Sequence, residues 1–198
     1  MTPAQRALHV TIEENINALE EGKQRLDIGP PSERVLINLG HDEASRRWLY
    51  ESMGATEVRV ADEMGAMNAA VAQAVRSANR ADAISGTGGP AYGIAEVTDP
   101  ADDLMRVQQS FRVVTVHFPA FVDNVKRVAV LRRESGLLQA ESESDERVRH
   151  DITDQSEANA QNLLGAARTV ADSFTELLKA ATPLTTRQVS VVPVYPYW

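Results

Sequence analysis

The feature of the sequence with the most chemical potential is a run of small residues, Ile84-Ser85-Gly86-Thr87-Gly88-Gly89-Pro90. Backbone amides at such a turn can cradle an anion, because glycine allows close approach and positive φ. Gly86, Thr87, Gly88 and Gly89 are therefore the candidate ligand-binding residues. The order does not match a phosphate loop, which needs a Lys after its last Gly, and it lacks the G-x-G-x-x-G spacing. A connecting loop accounts for the same residues.

Other chemistry is thinly supplied. The four histidines, His9, His41, His117 and His150, include no pair three or four apart, so no helical metal pair exists. His41-Asp42-Glu43 reads as a capping turn, and His150-Asp151 falls in a charged run. The acidic doublets Glu13-Glu14, Glu20-Glu21 and Asp102-Asp103 are adjacent residues, which point in different directions on a helix. No Gly-x-Ser-x-Gly elbow is present. No catalytic residue, metal or cofactor is expected, and the chain does not read as an enzyme.

One resemblance attaches to the Gly-rich run. Val60-Ala61-Asp62-Glu63, then Ala74-Val75, then Ala81-Asp82-Ala83-Ile84 leading into Ser85-Gly86-Thr87-Gly88-Gly89-Pro90, resembles the molybdopterin-binding domains of cofactor biosynthesis. The resemblance covers about 40 residues. It implies a strand entering the loop and a pterin phosphate near Gly86, Thr87, Gly88 and Gly89. The family's opening strand, with its own Gly-rich turn, is missing.

Composition narrows the classes. The 198 residues suffice for one domain with a core, and 43% apolar and 24% charged residues are globular values. The absence of cysteine excludes disulfides, thiolate zinc sites and a cysteine nucleophile. A net charge of −8 argues against a general nucleic-acid binder. No stretch approaches the roughly 18 apolar residues of a membrane span. Met-Thr-Pro-Ala-Gln-Arg has no basic region followed by an apolar core, so no signal peptide is expected. The expected location is the cytoplasm, or a virion assembled there.

The elements are read from caps and periodicity. Thr2, Pro3 and Gln5 form a helix start with a capping box. Leu8, Ile12, Ile16 and Leu19 follow on one face, a stripe that needs a partner surface. Gly29-Pro30-Pro31 ends this segment. Residues 34–38, 57–60 and 81–84 are short strand candidates, separated by helices that Asp42 and Asp62 can cap. Gly54 is read as a helix stop. The second of these helices carries Met64, Met67, Val71 and Val75. Asp99-Pro100 opens another helix. Residues 111–118, with Val114, Val116 and Phe118 on one face, read as a strand that Pro119 ends. Residues 121–133 fit a helix, although 127–131 also fit a strand. A long helix from about Asp145 carries Leu163, Ala167, Val170, Phe174 and Leu177.

These elements give an α+β, helix-rich fold: a small mixed sheet with a long C-terminal helix and an extended C-terminal tail. The expected divisions are an N-terminal helix at 1–29, an α/β core at 30–140, a long helix at 141–183 and an interaction tail at 184–198. In the tail, Pro193 and Pro196 prevent a central strand. Val194, Tyr195, Tyr197 and Trp198 make it suited to docking in a groove or along another chain's sheet edge.

The function this supports is a structural subunit of a homo-oligomeric assembly, a virion component such as a phage capsid, neck or tail protein. Its partners would be copies of itself and other proteins of the assembly, with no sequence-specific nucleic acid and no membrane. Val194, Tyr195, Tyr197, Trp198 and the stripe of Leu8, Ile12, Ile16 and Leu19 would form the interface. The alternatives are a small-molecule enzyme or binding protein using the Gly-rich loop, and a helical adaptor.

Overall fold

The computed structural model describes residues 1–29, 43–86 and 99–186. Among them are four α-helices and a short 3-10 turn. These are α1 (Pro3–Arg25), α2 (Glu43–Gly86), α3 (Pro100–Glu141), α4 (Glu146–Ala181) and the turn Thr182–Thr185. Helix makes up 92% of the described residues, and none of them is in a strand. The expected mixed sheet is therefore replaced by a helical bundle, and the α/β core expected at 30–140 is helical wherever it is described. The strand candidate at 34–38 lies outside the described residues.

Each misread strand has a physical explanation. Residues 57–60 and 81–84 lie within α2, a single helix of 44 residues. Neither Gly54 nor Gly65 breaks it, because an interior glycine costs only about 1 kcal/mol. Burial follows the helix: Leu49, Thr56, Met67, Ala70, Ala74, Ser77 and Ala81 are buried, while Val58 in the second strand candidate is 61% exposed. Residues 111–118 carry two overlapping patterns. The alternation through Val116 fails, since Val116 is 72% exposed. The stripe Leu104, Val107, Phe111, Val114, Phe118, Val122, Val125 and Ala129 is buried at helical spacing. Pro119 sits inside α3 rather than ending it.

The caps follow the sequence closely. Gln5 N donates to Thr2 Oγ1 at 3.2 Å, and Thr2 N donates to Gln5 Oε1 at 2.7 Å. Asp99 caps α3 through Ala101 N, and Asp145 caps α4 through Arg147 N. These bonds satisfy amide donors that a helix leaves open at its start.

The helices run up and down in turn around α3. Arg80 meets Asp103 and Arg132 meets Glu57, so α2 is antiparallel to α3. Gln108 donates to Thr11 and Thr115 to Asn15, so α1 runs parallel to α3. Lys23 pairs with Asp172 and Arg168 bonds to Leu26 O, so α4 is antiparallel to α1. The principal core joins residues of all four helices. A smaller cluster of Leu49, Leu131 and Leu138 seals the other end of the α2–α3 contact.

Two glycines permit the closest helix approaches. A Cβ on Gly22 would fall within the Phe118 ring, and one on Gly136 would overlap the Ser156 side chain. Gly136→Val should therefore force α3 and α4 apart and cost about 1–3 kcal/mol. Ser156→Gly should recover part of that loss, as chemical denaturation of the two single variants and the double variant would show.

Candidate interaction groove

The α1 stripe finds its cover inside the chain. Leu8, Ile12 and Leu19 are at most 2% exposed, and Ile16 packs against the same core. Their neighbours are α3 and α4. Polar side chains fix its register. Gln108 Nε2 donates to Thr11 Oγ1 at 3.1 Å and to Ala7 O at 3.3 Å, and Asn15 Nδ2 donates to Thr11 O at 2.7 Å. Arg168 reaches across to Leu26 O at 3.0 Å.

The other proposed sites fare differently. Gly86 is the last residue of α2, and residues 81–86 are helical, so no strand leads into the Gly-rich run. That removes the strand-to-loop geometry on which the molybdopterin-binding resemblance depends. Thr87, Gly88 and Gly89 lie outside the described residues, as do Val194, Tyr195, Tyr197 and Trp198. His9 pairs with Glu13 and His150 with Asp154 along single helix faces. His117 Nδ1 lies 2.5 Å from Glu63 Oε2 and ties α3 to α2. Among the described residues, no three His, Asp or Glu side chains are placed to hold a metal ion.

An open groove remains where α2 and α4 both lean on α3 without closing over it. Val75, Ala78 and Asn79 of α2 form one wall, and Leu177 and Ala180 of α4 form the other. Val107 and Phe111 of α3 line it between them, and Pro183 and Leu184 of the 3-10 turn complete its rim. The volume is about 210 Å³, and no lining residue is charged. Small side chains create it: Ala74, Ala78, Ala180 and Ala181 do not fill the space between the two outer helices. Val75 remains 41% exposed. The sequence signal was present in Val75 and Leu177, which belong to the helical stripes, but it did not reveal that the two stripes fail to meet.

Among the described residues, two carboxylates are buried: Asp103, which the sequence shows as half of an acidic doublet, and Glu134, which it does not single out. Asp103 is fully buried between α2 and α3, with Arg80 Nη2 at 3.0 Å and Arg106 Nη1 at 3.5 Å. These are ion pairs rather than aligned hydrogen bonds, because neither Asp103 oxygen has a hydrogen-bond partner. Glu134 is 1% exposed, and neither of its oxygens is hydrogen-bonded. Burial pushes its carboxyl above the usual range, and the neighbouring Arg133 guanidinium, 3.8 Å away, partly opposes this. Arg133 Nη1 itself donates to Gly29 O at 3.1 Å. Neither carboxylate lines the groove.

Among the described residues, no helix is long and apolar enough to cross a membrane. A family model described as talin, middle domain, matches residues 4–144, a stretch that takes in α1, α2 and α3. No curated protein matches the chain.

Proposed function

Because the chain belongs to the talin middle-domain family, we propose that it is a helical-bundle interaction module that binds another protein along the groove between α2 and α4. The groove itself carries this reading. It is apolar, free of charge and bounded by two rigid helices, which suits an uncharged apolar segment of a partner laid along it. Phe111 and Val107 would receive the partner's apolar side chains, and Asn79 would supply a polar contact at the wall. Such a site binds and does not transform: its lining holds no acid, base or nucleophile of the kinds used in catalysis.

A photo-crosslinking amino acid at position 75 tests the reading in extract of the organism that makes the protein. A discrete protein adduct is expected at 75 and none at 116, an exposed position on α3 outside the groove. Equal labelling at both positions, or none at either, would overturn it.

Assembly from copies of this chain is a second reading, favoured by one observation. Trp48, Tyr50 and Val58 on the first half of α2 are 50%, 57% and 61% exposed. Exposed apolar residues of this kind suit a contact between subunits. A structural subunit of a virion, assembled in the cytoplasm, is the specific form proposed from the sequence. Native mass measurement at micromolar concentration tests it: a discrete oligomer lost in Trp48→Ser with Val58→Ser supports it, and a monomer throughout refutes it.

A further inference from the structure

Resting on the assembly reading and giving it an interface, we infer that two copies of this chain pair antiparallel through the solvent side of α2. The seam is written in the spacing. Val58, Ala61, Gly65, Asn68, Ala72 and Val75 recur at alternating steps of three and four, the repeat that keeps two helices in one line of contact. All six are exposed. Gly54 and Asn79 continue the repeat by one step at either end, and both are exposed as well. None of these residues is charged, in a chain of which 24% is charged. Met67, Ala70 and Ala74, which α2 buries in the core of the bundle, lie on its other side.

The order of residues along the seam selects a second copy as its occupant. Turned end over end about a point between Ala66 and Met67, the seam matches itself. Val58 lies against Val75 of the second copy, Ala61 against Ala72 of the second copy, and Gly65 against Asn68 of the second copy. At the ends, Gly54 lies against Asn79 of the second copy. Valine meets valine, alanine meets alanine, and each asparagine meets a glycine that leaves it room. This is the self-complementary contact of a two-fold dimer. A parallel pair would set each residue against its own copy, leaving gaps where glycine meets glycine.

Charge agrees with the antiparallel register. Asp62 follows Ala61 and Arg76 follows Val75, so both stand on the same flank of the seam. The register brings Asp62 of each copy toward Arg76 of the other, opposite signs across the contact. Within one helix the two are roughly 21 Å apart, too far to pair. A parallel register would bring like charges together instead. The seam runs about 38 Å from Gly54 to Asn79. Its small side chains limit the buried area, which places the pair among weak, reversible dimers.

The chain has no cysteine, so introduced cysteines report the register. Val58→Cys and Val75→Cys proteins, mixed and treated with a short bis-maleimide, should give a covalent dimer. Either protein alone should give several-fold less, because the two-fold axis sets the two copies of position 58 roughly 25 Å apart. Asp62→Arg should weaken association several-fold by sedimentation equilibrium, and adding Arg76→Asp should restore it, with helical circular dichroism unchanged throughout. Single proteins that crosslink as well as the mixture, or a charge swap without effect, would overturn the inference. A discrete oligomer without the 58–75 product also overturns it but leaves the assembly reading standing, whereas a monomer at every concentration removes both.

Discussion

Phe118→Ala should lower the unfolding free energy by about 3–5 kcal/mol, the usual range for an aromatic side chain removed from a packed core. Phe118 is fully buried in the middle of α3, with its ring against Gly22 of α1 and its centroid 6.0 Å from that of Phe121. It fills the space that a side chain on α1 would otherwise need. The reciprocal change, Gly22→Ala, places a methyl where the ring lies and should cost about 1–3 kcal/mol. The two changes act on one volume, so their effects should not add. Gly22→Ala with Phe118→Ala should be more stable than the sum of the singles predicts. Urea denaturation of all four proteins measures this coupling, and strict additivity would show that α1 and α3 are not in contact there.

Glu134→Gln should flatten the fall in stability from acid to neutral pH, because it removes an ionisation that burial penalises. Its net effect at neutral pH is the relief of that penalty less the loss of the 3.8 Å ion pair with Arg133. In the wild type, Glu134 must ionise without a hydrogen-bond donor, and burial raises its pKa above the ordinary 4.5. The native state therefore holds this proton more tightly than the unfolded chain. Glu134 contributes its full share of stability below pH 4.5. That share is lost as pH rises through the elevated native value. Glu134→Gln removes this dependence, so the two stability curves should converge in acid and separate toward neutrality. Curves that stay parallel across the range would mean that Glu134 finds a donor in solution.

The parts of the fold written locally were the most legible. Thr2, Pro3 and Gln5 specify a start within four residues, and Asp99 and Asp145 do the same for α3 and α4. What sequence hid were choices made by tertiary packing. Residues 111–118 satisfy a strand's alternation and a helix's stripe together, and only the burial of Phe111, Val114 and Phe118 against α1 and α2 decides between them. Gly54 read as a stop because glycine weakens helices, yet the apolar face on both sides of it carries α2 through. The α1 stripe was legible as apolar, but whether its cover lay in this chain or another was not, since α4 supplies it from about 150 residues away, as the Lys23–Asp172 pair shows.

The groove was the least legible part. It exists because small residues on helices distant in sequence, Ala78 and Ala180, leave the same space unfilled. Asp103 shows the same limit: in sequence it is half of an acidic doublet at a helix start, and in the bundle it is a buried anion between two arginines.

The affinity of the protein captured at position 75, measured for wild type and for Val75→Arg, tests the docking site most directly. A charge placed on an uncharged wall should weaken binding by tenfold or more, about 1.4 kcal/mol, while the thermal midpoint stays within a few degrees because Val75 is partly exposed. Unchanged affinity in a folded Val75→Arg protein would contradict the account and move the interaction surface elsewhere on the bundle.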